Sequence, residues 1–303
     1  GKPVYAWLQS PGMREYYLAS AADKVYLSPE DILDVKGMRL EAMYFKGTLD
    51  KIGVQVEVEH AGKYKDAGDV FTRTSMSPET KEALNSILDS LYGEITTALA
   101  KGRGKTPQEM VALIDQGPFL APVAQSSGMV DALIYPHDVR EMLMKQTRVG
   151  EKGFISTRQY LASGGYKPKG ARKRIAYLIA QGDILRASAA DVFGEEQVIT
   201  PATIGTLIRS ISEDDSIAGV IVRVDSPGGD AVASDEILVQ LKRLSEKKPL
   251  VFSMSDVAAS GGYYIAMTGD PVVAYPGTLT GSIGVVFGKI NLRGLYDKLG
   301  VSV

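Results

Sequence analysis

The chain has 303 residues, of which 45% are hydrophobic, 23% charged and 8% aromatic. Those proportions are ordinary for a soluble globular protein and exclude collagen-like, disordered and coiled-coil classes. Lys and Arg total 34 against 36 Asp and Glu, which argues against nucleic acid as an obligate partner, because phosphate binding needs a basic face. The absence of cysteine excludes disulfides, thiolate catalysis and cysteine metal sites, and with only His60 and His137 a histidine-rich metal site is excluded too. No metal and no cofactor are expected. At roughly 100–200 residues per domain, the length predicts two domains.

In chain order, the first clear element is a long helix over 77–103, opened by Ser77-Pro78 with the proline in its first turn. Thr106-Pro107 opens another. Residues 163–174 (SGGYKPKGARKR) are rich in Gly and Lys and lack periodicity, so they read as an interdomain linker. The expected division is 1–150, a linker over 151–174, and 175–303. Apolar runs at 175–180 and 219–225 are of buried-strand type. Between them, 203–212 has helical spacing, with Ile204, Leu207, Ile208 and Ile211 on one face. A helix over about 233–244 and a strand over 249–254 follow. This β-α-β-α-β order predicts a parallel sheet with right-handed crossovers. No stretch reaches the roughly 18–20 apolar residues of a membrane span, and no signal peptide precedes the fold. Any membrane anchor is expected to lie outside these residues.

The chain also repeats itself. Residues 16–56 align without a gap on 263–303 at an offset of 247, with 13 identities in 41 pairs, against roughly three by chance at typical composition. Among them are Tyr16/Tyr263, Tyr17/Tyr264, Pro29/Pro276, Gly47/Gly294, Lys51/Lys298 and Gly53/Gly300. Each copy has what the other lacks on one side, so the expectation is two incomplete copies of one α/β unit, cut at both ends.

Two turns have the residues that chemistry needs. Asp225-Ser226-Pro227-Gly228-Gly229 joins a buried strand to a helix. It is either an ordinary tight turn or a place where Gly229 presents a backbone N–H to a reacting oxyanion. The second turn, around Ala259-Ser260-Gly261-Gly262, follows the strand at 249–254 and opens an apolar helix. Ser260 is either an N-cap or a nucleophile with small neighbours and a free N–H at Gly261. Lookalikes fall away. Ser245-Glu246-Lys247-Lys248 fits S-x-x-K but lies in a helix without its partner motifs. Gly104-Lys105-Thr106 ends like a P-loop, but Leu99 stands where the first glycine belongs.

The stretches VDSPGGDAVASDEI and SMSDVAASGGYYIA, followed by LTGSIGV at 279–285, resemble the signal peptide peptidase A family, Ser-Lys proteases of the Clp-protease/crotonase-like fold. Three motifs in register carry the resemblance over nearly the whole chain. It implies an α/β fold of two tandem Clp-protease/crotonase-like units, each incomplete here, with parallel sheets and flanking helices. Ser260 then matches the nucleophile, Gly229 and Gly261 the oxyanion donors, and Ser282 a serine that orients the base. The base matches Lys65, in HAGKYKDA, with Lys63 as the neighbouring competitor. Neither histidine has a triad context.

The resemblance further implies a membrane-associated serine endopeptidase that degrades cleaved signal peptides and other apolar peptides. It would act as a homo-oligomer, a tetramer, on the periplasmic side of a bacterial inner membrane. The first copy has Lys65 but Met13 (or Arg14, depending on the gap) at the nucleophile position, while the lysine position of the second falls near 312. Lys65 of one domain is therefore expected to meet Ser260 of the other, within one chain or between chains. Two other classes fit less of the sequence: a crotonase-type acyl-CoA enzyme, which needs no such serine, and a non-catalytic scaffold.

Overall fold

The computed structural model describes residues 2–163, 173–187 and 198–302. The chain forms two compact units, each discontinuous in sequence: Gly1–Leu40 with Leu84–Pro168, and Glu41–Ala83 with Lys169–Val303. Residues 41–83, which the repeat assigns to the first copy, thus belong to the unit that holds the second. Of the expected linker, residues 164–172 lie outside the described residues; before them it carries a short helix, Thr157–Ala162.

The second unit is built on a five-stranded sheet. The apolar runs at 175–180 and 219–225 are strands Arg174–Gln181 and Ile217–Ser226, paired in parallel. Leu250–Ala259 lies parallel on the other side of Ile217–Ser226 and continues past the predicted end at Met254. Val272–Val273 and Leu279–Gly281 add to it further along its length, both parallel. Helices Pro201–Glu213 and Ala231–Ser245 cover the sheet, packing Ile204, Ile208, Ile237 and Leu241 against Val220, Val222, Val224 and Phe252. Leu207, expected on the same helical face, stands at the edge of that stripe and is 48% exposed. The reason is angular: at 100° per residue it lies to one side of the line through Ile204, Ile208 and Ile211.

A second element of this unit was not legible as a pairing. Strand Gln55–His60 lies antiparallel to Val286–Asn291, in a register running from His60 opposite Val286 to Gln55 opposite Asn291. Beside them are two short helices, Lys46–Ile52 and Arg293–Leu299, whose bounds are 247 residues apart at both ends. Each closes on a glycine in the left-handed region, Gly53 at φ 81° and Gly300 at φ 71°, where a side chain would be strained.

In the first unit, strands Tyr5–Leu8, Lys24–Leu27 and Ala132–Leu133 form a parallel sheet. The predicted long helix is Pro78–Gly102, which begins in the second unit's residues and ends in the first's. Thr106 caps the next helix, Pro107–Ile114, its hydroxyl accepting from the Glu109 N–H as the Ser/Thr-x-x-Glu pattern dictates. Tyr16, Leu27, Leu33, Leu99, Met110 and Phe119 make its core. The Tyr16 hydroxyl donates to the Met129 carbonyl at 2.6 Å, and burial pushes its pKa upward. Asp131 accepts from the Val25 N–H, Lys24 and Arg103, which together hold its carboxyl below the usual range despite partial burial.

Phe252, wholly buried between sheet and helices, tests the packing of the second unit. Phe252→Ala is expected to cost about 3–5 kcal/mol, measured as a lowered denaturant midpoint for that unit. An unchanged midpoint would contradict the core assignment.

Candidate active site

Ser260 sits where the strand Leu250–Ala259 breaks into the helix Gly261–Ile265. Its backbone is at φ 52°, ψ −117°, a sparsely populated conformation for a residue with a Cβ, worth about 1–3 kcal/mol of strain. Backbone bonds hold it there: the Ser260 N–H donates to the Gly281 carbonyl, and the Tyr264 N–H to the Ser260 carbonyl, both at 2.9 Å. The hydroxyl does not cap the helix, so the N-cap alternative is not realised and Oγ is free for other partners.

Small residues bring the second turn against this one. A Cβ on Gly262 would stand 2.4 Å from the Ser226 carbonyl oxygen, and one on Gly228 only 2.5 Å from the Gly261 nitrogen. Gly228 and Gly229 both have positive φ, 100° and 150°. Ile184 locks the turn from the side: its N–H donates to the Gly228 carbonyl, and its carbonyl accepts from the Asp230 N–H. That exchange leaves the Gly229 N–H out of the bridge. Gly261, as the first helical residue, has no intrahelical acceptor for its N–H. Asp230 caps the following helix through the Ala233 N–H and pairs with Arg186 at 2.9 Å, which lowers its pKa.

Lys65 arrives on the other side of Ser260. The antiparallel ladder of Gln55–His60 on Val286–Asn291 is extended by an Ala61 N–H bond to the Val285 carbonyl. The chain then turns, with the Lys65 N–H on the Gly62 carbonyl. Gly284, at φ 144°, makes the approach possible, since a Cβ there would stand 2.3 Å from the Ala61 oxygen. The result is that Lys65 Nζ lies 3.0 Å from Ser260 Oγ, 2.7 Å from the Ser282 carbonyl and 3.0 Å from Ser282 Oγ. Both residues belong to the same unit of one chain.

The electrostatics follow from burial. Lys65 is 9% exposed, and no carboxylate is paired with its ammonium among the described residues. Desolvation lowers its pKa from the ordinary 10.5, against a smaller opposing pull from neighbouring Asp66. A neutral amine has two N–H donors and one lone pair. The ammonium's three N–H groups match the three contacts, donating to Ser260 Oγ and to the carbonyl and hydroxyl of Ser282; in the neutral amine two donations to Ser282 would leave the lone pair for the Ser260 O–H.

Other residues support the lysine without touching the serine. The Asp66 carboxylate accepts from Thr80 Oγ1 at 2.7 Å, and the Thr80 N–H donates to Ser77 Oγ at 3.0 Å. The lysine turn is thereby tied to the first turn of the helix Pro78–Gly102. Sequence reasoning missed this network, although Ser77-x-x-Thr80 at a helix start was a visible capping pattern. Lys63 points elsewhere, its ammonium 4.6 Å from the Tyr64 ring centre. His60 is exposed, with Nδ1 3.0 Å from the Gly62 carbonyl, and His137 is exposed beside Asp138.

Residues 1–150 and 242–303 match the profile of Peptidase family S49. "Serine protease SPPA, chloroplastic" from Arabidopsis thaliana is 35% identical over 99% of this chain and 45% of its own length. "Protease 4" from Salmonella typhi is 35% identical over 96% of this chain and 48% of its own. The chain thus spans about half the length of these relatives. A solved "1510-N membrane-bound stomatin-specific protease" is 26% identical and matches 37% of this chain and 46% of its own, with a TM-score of 0.28.

Two expectations concern how fast Ser260 reacts with an acylating serine reagent. The rate should rise with pH as Lys65 loses its proton. Asp66→Asn keeps the acceptor for Thr80 but removes the charge that favours the ammonium, so the rising limb should move to lower pH; a limb that stays put would contradict the coupling. Ser282→Ala removes one acceptor for the amine and should slow acylation about tenfold, the worth of roughly 1.4 kcal/mol, at unchanged thermal stability.

Proposed function

The chain belongs to peptidase family S49, and on that footing we propose that it is a serine endopeptidase working through a Ser260–Lys65 dyad. The observation that carries the reading is the buried amine 3.0 Å from the hydroxyl of a strained serine at a strand-to-helix turn.

In this mechanism neutral Lys65 takes the Ser260 proton as Oγ attacks the scissile carbonyl carbon. The N–H groups of Gly229 and Gly261 hold the oxyanion that forms. Collapse of the tetrahedral intermediate breaks the C–N bond, and the Lys65 ammonium gives its proton to the departing amine. An ester of Ser260 remains. Lys65, neutral again, then takes a proton from water as the water oxygen attacks the ester. The acid leaves, and the proton returns to Ser260 Oγ. Ser282 positions the amine throughout, donating nothing that the cycle consumes. The reaction needs no metal.

The substrates in this reading are signal peptides already cut from their precursors, and other apolar peptides. A Ser-Lys site of this kind would recognise the main chain of an extended segment. The protein acts in association with a membrane, on the periplasmic side of a bacterial inner membrane, as a homo-oligomer. The names of its relatives support the hydrolytic part of this reading. Among the described residues, no helix is long and apolar enough to cross a membrane.

Ser260→Ala and Lys65→Ala are each expected to lower hydrolysis of an apolar reporter peptide by about 10⁴-fold or more, and the double variant to lose no more than either alone. Circular dichroism should show both folded. Undiminished hydrolysis by either variant would overturn the dyad.

A further inference from the structure

We propose that Arg223 and Asp225 form a strap that sets Ser260 at its distance from the oxyanion turn, by holding a bulge in the strand that carries the serine. The proposal rests on the hydrolytic reading above for what Ser260 does, and its test includes a readout that does not depend on hydrolysis.

The bulge lies in the strand register. Ile217–Ser226 and Leu250–Ala259 pair residue for residue from Val220 opposite Leu250 to Val224 opposite Met254, and then Ser226 stands opposite Ala258. One residue, Asp225, separates Val224 from Ser226, whereas three, Ser255, Asp256 and Val257, separate Met254 from Ala258. On the other side, Val272–Val273 pairs with Phe252 and Ser253, and Leu279–Gly281 with Val257 to Ala259. Among the described residues, Ser255 and Asp256 thus have no strand partner on either side. Backbone that leaves a ladder in this way needs other hydrogen-bond partners.

Side chains supply them. Arg223 Nη1 donates to Ser253 Oγ at 2.8 Å and to the Met254 carbonyl at 3.2 Å, and Nη2 donates to Ser255 Oγ at 2.8 Å. Asp225 Oδ1 accepts from the Val257 N–H at 3.3 Å. Thr278 Oγ1 and Thr280 Oγ1 donate to the Ser255 and Ala258 carbonyls, both at 2.7 Å. The division of labour is chemical. A guanidinium only donates and meets the carbonyl where the bulge begins; a carboxylate only accepts and meets the N–H where it ends. Arg223 and Asp225 are two residues apart on one strand, so both leave the same face of the sheet. Arg223 forms no ion pair among the described residues, and all three of its contacts lie on the serine's strand.

The consequence is where the serine falls. Continued without a bulge, the register would set Asp256 opposite Ser226 and carry Ser260 roughly 6.5 Å further along the strand direction. With the bulge, Gly261 comes against the other turn, where a Cβ on Gly228 would stand 2.5 Å from the Gly261 nitrogen. The two oxyanion donors of the proposed mechanism, Gly229 and Gly261, follow different strands, so the bulge sets the spacing between them. Arg223 is therefore a positioning residue, acting on the site through residues 254–260.

Arg223→Met keeps the stem and removes every donor. It is expected to lower kcat for the apolar reporter peptide about hundredfold, the scale of one misplaced oxyanion donor, with KM within about twofold. The rising limb of the pH profile should stay in place, since Lys65 is held from other strands. In hydrogen exchange, amides of 255–260 should exchange about tenfold faster, and those of 220–224 at the unmodified rate. Arg223→Lys keeps the charge but not the planar fork and should lose about tenfold in kcat; it carries the test where Arg223→Met does not fold. Undiminished kcat, a loss confined to KM, a shifted pH limb or unchanged exchange over 255–260 would each overturn the proposal. Hydrolysis that survives in Ser260→Ala would overturn the dyad instead, and the exchange result would then decide the strap by itself.

Discussion

The site depends on one antiparallel ladder. Gln55–His60 and Val286–Asn291 are separated by more than two hundred residues in the chain, and their pairing delivers the lysine turn to the serine turn. Ala61 on Val285 extends it, and Gly284 lets the two backbones pass closely enough for Nζ to reach Oγ, while Gly62 turns the chain at φ 97°. On the serine side, parallel pairing does the equivalent work: Ala259 lies beside Gly281, and the next N–H, that of Ser260, is fixed on the Gly281 carbonyl. The residues 281–285 are therefore the common frame of both partners. They hold the Ser260 backbone from one end and the lysine turn from the other.

Within that frame, the electrostatics disfavour the charged form of Lys65. An ammonium at its ordinary pKa is protonated at neutral pH and useless for taking a proton. Burial of Lys65 among Ser282, Ser260 and the backbone works against the charged form, and the Asp66 carboxylate, which pulls the other way, is engaged with Thr80. The strain at Ser260 sits in the same place. A residue held at positive φ by bonds on both sides keeps its hydroxyl out of the helix cap and turned toward the amine. Rigidity here comes from backbone bonds and from glycines packed without room for side chains, which is how a small site is kept in register.

Much of this was legible in the sequence, for reasons that differ by element. The strands at 175–180 and 219–225 are apolar runs bounded by turn residues, and the helix at 77–103 announces itself by Ser-Pro; such local signals survive without knowledge of the rest. Ser260 and Lys65 were legible through their motif neighbours rather than through their own properties, since a lone serine before a helix is usually a cap. The ladder was not legible. Residues 54–59 (VQVEVE) alternate strictly and mark a strand, but a pairing across so long a separation leaves no local mark of the partner. For the same reason the composition of the units was not legible: the repeat assigns 41–83 to the first copy, whereas strand pairing places those residues with the second. Leu207 shows a smaller version of this, since spacing alone does not tell the centre of an apolar stripe from its edge.

The central claim is that burial beside Ser260 disfavours the Lys65 ammonium and so lowers its pKa from the ordinary lysine value. The most direct measurement is the titration of its side-chain Nζ and Cε by NMR in the free protein, assigned by comparison with Lys65→Arg. The account predicts a titration clearly below the ordinary 10.5, moving further down in Asp66→Asn. A Lys65 that titrates at or above the ordinary lysine value would contradict it.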